Sequence, residues 1–173
     1  MLILEERSYN PKNFVERLTD LDRKNVHEKA ELNPSKSVLL PRAFKKTLLE
    51  KVFKKIPLEL FETVSVQDHA IIYHECFKIT KKLGIVDKAI RHMEPSSFRE
   101  IYNHYYSWGV TSYKAQSVLP KEYNNMFSGK LKNRVKIISF LNPSFILTIP
   151  IIFFRGLGYY SGFYTIKFKE SRK

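Results

Sequence analysis

A chain of 173 residues, 43% hydrophobic and 27% charged, is long enough to bury a core and has globular composition, which excludes wholesale disorder and points to one compact unit. Its net charge of +13 points to an anionic partner: nucleic acid, a nucleotide-linked substrate or lipid headgroups. A lone cysteine, Cys76, excludes a disulfide framework and a thiolate metal cluster and fits a reducing, cytoplasmic setting.

The opening MLILEERSY has no cationic segment ahead of its apolar residues, so it does not read as a signal peptide. Leu2 to Leu4 reads instead as a buried strand, cut from a larger sheet, whose end presents Glu5, Glu6 and Arg7. Asn10-Pro11 offers a cap and a first helical position, and Phe14, Leu18, Leu21 and Val26 follow at the spacing of an amphipathic helix. That helix contains the only Asp-x-Asp of the chain, Asp20-Leu21-Asp22, which its setting makes a solvated face rather than a metal site. A turn over Asn33 to Ser37 leads to a brief extended segment, Val38 to Leu40, with Arg42 just beyond, and Ala43 to Lys55 reads as a helix with one cationic face.

Val66 to Gly109 concentrates the unusual residues: His69, His74, His92 and His104, with Cys76 and Trp108. Val66 to Lys82 reads as a helix stopped by Gly84, and Ile85 to Arg91 as a short strand. Pro95 then opens a helix that buries Phe98, Ile101, Tyr102, Tyr105 and Trp108 and ends or bends at Gly109. His69 and His74, five apart, fall on different helix faces, so they do not encode a zinc site. Asp68, in the first turn of its helix, is either a general base directed into a cleft or an ordinary cap. His92 and Glu94 lie just past a strand, where open α/β sheets place ligand groups, and could equally form a turn.

Beyond Asn124 nine lysines and arginines face one acid, Glu170, around an apolar run from Val135 to Phe154. Pro143, Pro150 and Lys136 make that run a poor membrane crossing; it reads as a broken hairpin at a membrane interface or as a pair of core helices. Residues 1–123 thus form one α/β unit and residues 124–173 a basic, apolar tail. Arg155-Gly156-Leu157-Gly158 is too short for a phosphate loop.

VQDHAIIYHE, followed a strand later by AIRHMEPSSFREIYNHYYSWG, resembles the C-terminal half of a family 2 glycosyltransferase of GT-A type. LLPRAF resembles the strand and arginine that precede that family's acid-bearing helix, MLILEERSY the strand after its metal-binding Asp-x-Asp, and FFRGLGYYSGFY a membrane-proximal tail. The resemblance implies a partial GT-A-like α/β fold: a short mixed sheet, amphipathic helices and a C-terminal apolar helical tail. It implies that Asp68 is the catalytic base for the acceptor hydroxyl and that His69 is its neighbour in the same motif. His92 would lie near the donor diphosphate or metal, Arg42 would face sugar or diphosphate, and Trp108 would lie where the family's aromatic helix closes over the acceptor. The family's nucleotide-binding half and the Asp-x-Asp that holds Mg or Mn have no counterpart in these residues, which implies no cofactor in this chain alone and no activity without a complementary polypeptide. The complete enzyme would use a nucleotide sugar and a lipid-linked or glycan acceptor, at the cytoplasmic face of a membrane. Two other readings stand beside it: a basic module gripping nucleic acid through Lys, Arg and aromatic stacking, and a non-catalytic peripheral protein held on an anionic membrane surface.

Overall fold

The structure is a computed structural model that describes residues 1–29, 31–34, 39–63, 68–125 and 143–172. Its elements run β1 (Leu2–Ser8), α1 (Phe14–Lys29), α2 (Lys46–Phe53), α3 (Leu58–Thr63), α4 (Asp68–Ile79), β2 (Gly84–His92), α5 (Phe98–Gln116) and α6 (Pro143–Glu170). The chain is therefore mixed α/β, with a parallel two-stranded sheet and an apolar C-terminal helix.

β1 continues through Glu5, Glu6 and Arg7 because each of these charges finds a partner beside the strand: Glu5 the backbone N–H of Lys88, Glu6 two arginines and Arg7 Asp20. It pairs in parallel with β2 from Leu2↔Gly84 to Ser8↔His92, with a bulge between Leu4 and Glu6. At that bulge Lys88 takes a positive φ of 50°, a conformation a lysine rarely adopts, and its N–H donates to Glu5 Oε2 at 2.7 Å. On the other side of β1, Leu2 makes a single antiparallel bridge to Ala43, and this takes the place of the extended segment expected before Pro41. Val38 itself lies outside the described residues.

α1 begins later than expected. Asn13, not Asn10, is its cap: its Oδ1 accepts the Glu16 N–H at 2.9 Å while the Glu16 carboxylate accepts the Asn13 N–H at 3.3 Å, a reciprocal capping box. Asn10 instead turns the chain with a φ of 47°, which asparagine tolerates. α5 starts by the same device, Ser97 Oγ accepting from Glu100 N–H, and runs on past Gly109 to Gln116. Gly109 does not stop this helix because its missing side chain serves α6: a Cβ there would stand 2.0 Å from the Tyr159 carbonyl oxygen. Gly158 and Gly162 return the contact against the Tyr102 and Tyr106 carbonyls. α6 is one helix from Pro143 through Pro150, where a broken hairpin or a pair of core helices was expected. Pro143 fills a first-turn position that needs no N–H, and the contact with α5 on the C-terminal side of Pro150 offsets the one bond Pro150 removes. The part of the apolar run before Pro143 lies outside the described residues. α3 was not expected at all; six residues are too few to carry a periodic signal.

Two small cores result. One joins α2, α3 and α4 to the end of α5 through Leu48, Val52, Leu60, Ile71, Cys76 and Ala115. Burial pushes the Cys76 thiol up to about 11, so it is an inert core residue. The other joins Leu18 of α1, Ile101 of α5 and Ile151 of α6.

A candidate ligand site at the ends of the parallel strands

The C-terminal ends of β1 and β2 gather the chain's densest set of described ionic contacts. Arg23, reaching over from α1, donates from Nη1 to Glu6 Oε2 at 2.6 Å and from Nε to Glu94 Oε1 at 2.5 Å. Ser8 Oγ also donates to Glu94 at 3.0 Å, and the Glu94 side chain is only 1% exposed. Arg42 approaches Glu6 from the opposite side, its Nε 3.1 Å from Oε1. Burial alone would raise the Glu6 carboxyl, but Arg42, Arg23 and His92 outweigh it and hold the group below its ordinary value.

Below this layer α1 is fastened twice. Asp20 accepts from Arg7 at 3.1 Å and from the Ser8 N–H at 2.9 Å, and buried Asp22 pairs with Arg155 of α6. The Asp-x-Asp expected on a solvated face is thus wholly committed to holding strand and helices together. Arg155 lies 5.5 Å from the Tyr105 ring centroid, and His104 next to it is held below its usual value by burial, by Arg155 and by His92. Trp108 packs against both His104 and Tyr105, with ring centroids 4.9 and 5.0 Å away.

Of the expected site residues, Arg42 pairs with Glu6, His92 ends β2 opposite Ser8, and Trp108 packs on His104 of α5; among the described residues no hydrogen bond, ion pair or ring contact joins the three. Asp68 is the first residue of α4, and its Oδ1 accepts its own neighbour's N–H, that of His69, at 2.6 Å. Among the described residues no hydrogen bond or ion pair joins Asp68 or His69 to Arg42, His92 or Trp108. Glu6, Arg23, Arg155 and His104 were not foreseen as part of the site. One signal was legible: a single arginine, Arg155, inside a long apolar run needs a buried partner.

Among the described residues the paired aspartates and the His74 cluster are occupied by cations of the chain itself. Asp20 and Asp22 are held by Arg7 and Arg155. His74, Glu75 and Glu122 do bring ligand atoms within 4.8 Å of one another, but the Lys78 ammonium stands 2.6 Å from Glu75 and 2.7 Å from Glu122 and supplies the positive charge itself. What these residues offer is a guanidinium, Arg42, that is 38% exposed, and an exposed imidazole, His92, at the end of β2. Such a set can receive an anion or stack on a ring-shaped ligand. No protein-family model matches the chain, and neither a curated protein nor a solved structure does.

Proposed function

We propose that this chain is the acceptor-side part of a GT-A-type glycosyltransferase that moves a sugar from a nucleotide donor to a hydroxyl. The observation that carries the reading is the pairing of Arg42 with Glu6 of β1, Nε to Oε1 at 3.1 Å, beside a parallel strand pair whose second strand ends at His92. Arg42 and His92 are fifty positions apart, and the motif resemblance assigns His92 to the donor diphosphate or metal and Arg42 to the sugar or diphosphate. Open α/β sheets receive ligands at that end of their strands. The helix that Asp68 begins, the strand that ends in His92 and the aromatic helix α5 follow one another in the order of the motif resemblance.

In the proposed step Asp68 takes the proton of the acceptor hydroxyl. The freed oxygen attacks the anomeric carbon, and the bond to the diphosphate breaks with its electron pair leaving on the nucleoside diphosphate. A carboxylate is the group such a base needs, and Asp68 is the first residue of α4. Arg42 and His92 lie toward the departing phosphates, and Trp108 offers an apolar face to a sugar ring. No part of the step draws on an ion held by this chain.

The sheet is also what an incomplete transferase would have. Parallel sheets are normally covered on both faces, yet Ile85 through Ala89 of β2 are exposed, and among the described residues no strand pairs with the outer edge of β2. The nucleotide-binding half then comes from polypeptide beyond these 173 residues, in the same chain or another. The test is sugar transfer from labelled nucleotide donors with Mg²⁺ or Mn²⁺. The 173 residues alone should transfer nothing, whereas addition of a polypeptide bearing a nucleotide-binding half with Asp-x-Asp should restore transfer. Arg42→Ala should then raise the donor KM about tenfold, the loss of one charged hydrogen bond. Turnover by the 173 residues alone would overturn the proposal.

A further inference from the structure

α6 is amphipathic in the wrong sense for a water-soluble surface. Its outward positions Ile146, Ile149, Phe153, Leu157, Tyr160, Tyr164 and Phe168 recur in steps of three and four, and all of them are exposed. Phe153 is 59% exposed and Phe168 62%, while the inner face holds Thr148, Gly158 and Gly162. At 1.5 Å per residue this stripe is about 33 Å long. An unbroken exposed apolar stripe of that length marks a contact surface.

The helix is long and apolar enough to cross a membrane, but its surroundings forbid that. From Ser144, which bonds Asn25, through Arg155 on Asp22 to Phe163 on Tyr113, its inner side is fixed to α1 and α5. Those helices expose Arg17, Lys24 and Glu28, and Arg99, Asn103, Ser107 and Lys114. A crossing α6 would carry these charges into hydrocarbon. Only its outer stripe is free to meet lipid.

A second copy is disfavoured as the occupant by charge. Each copy brings +13, and the stripe ends at Lys167, Lys169 and Arg172, so two copies meeting along it would repel. An anionic bilayer surface has the complementary charge. We propose that α6 lies in the plane of an anionic phospholipid membrane, its outer stripe sunk into the headgroup boundary while α5 and the strand-end site stay in water. This inference stands apart from sugar transfer, since it uses none of the strand-end residues.

The experiment uses the full chain with vesicles of phosphatidylcholine, alone or with 30% phosphatidylglycerol. Wild type should float with the anionic vesicles and be released by alkaline carbonate. Phe153→Glu with Leu157→Glu, both on the exposed stripe, should cut the bound fraction at least tenfold with circular dichroism and melting temperature unchanged. Single tryptophans placed by Ile146→Trp, Phe153→Trp, Tyr160→Trp and Phe168→Trp in a Trp108→Phe background should be quenched equally by shallow brominated lipids. Quenching deepest at the middle positions, with retention in carbonate, would mean a crossing helix and overturn the proposal. Binding indifferent to the two glutamates, or a stable dimer without lipid that the glutamates dissolve, would overturn it equally.

Discussion

Arg23 holds two carboxylates that no other described guanidinium could hold at once, and Glu94 is too buried to be left with its charge alone. Arg23→Ala should therefore cost roughly 3 kcal/mol in urea denaturation, the scale for breaking a buried pair from one side; Arg23→Lys, with one point donor for two partners, should fall between. The same corner makes stability depend on pH. His27 accepts the Glu6 N–H through Nε2 at 3.4 Å, which requires an unprotonated nitrogen. Burial lowers its pKa below 6.5; Glu5 and Glu6 pull it back up, Arg23 and Arg7 push it further down, and the lowering prevails. His104 is lowered as well, by burial first and then by Arg155 and His92. A group with a depressed folded pKa gives stability that is complete above its unfolded value and is lost as the pH falls through the folded one. The melting temperature should thus fall as the pH drops below about 6.5, and again below about 4.5 as Glu6 protonates. His27→Gln should flatten the upper of these two steps. None of these pairings was legible in the sequence, because Arg23 and Glu94 lie 71 positions apart and nothing local couples them. The Asp-x-Asp misled for the same reason: helix periodicity gives a face, not what stands opposite it.

Elements were far easier to read than their ends. Both strands, α1, α2, α4 and α5 lie where apolar spacing and turn residues put them, since those signals are local. Asn13 displaced Asn10 as the cap of α1 because a capping box needs a glutamate three residues on, and only Asn13 has one. Gly109 was read as a stop because a glycine inside a helix has no local advantage; its reason is the backbone of α6, which no window around residue 109 contains. That reason makes a sharp prediction. Gly109→Ala or Gly162→Ala, with a Cβ 2.0 or 2.1 Å from a carbonyl oxygen, should destabilise by about 2 kcal/mol. Gly156→Ala, with nothing within 4 Å of its Cβ, should stabilise by about 0.5–1 kcal/mol through helix propensity alone. Thermal melts of the three variants decide it, and equal losses in all three would remove the close packing of α5 on α6 as their cause.

For the molecule as a whole, α1 holds the strand pair through Asp20 and Arg23, and among the described residues no strand covers the outer edge of β2. The α/β class was legible from spacing, and an apolar helical tail was implied by the family resemblance. The single long α6 was not, because two prolines read as breaks until a neighbouring helix is there to support the backbone between them. Sugar transfer is a proposal that joins a motif resemblance to Arg42 on Glu6 and a strand ending at His92, and it stands or falls on the acid at the head of α4. The direct measurement is nucleoside diphosphate release by the complemented enzyme, wild type against Asp68→Asn, at saturating donor and acceptor. Loss of the base should lower kcat roughly a thousandfold, with assembly of the two halves and donor KM unchanged. An Asp68→Asn enzyme that keeps its kcat would contradict the assignment of this chain as the half that activates the acceptor.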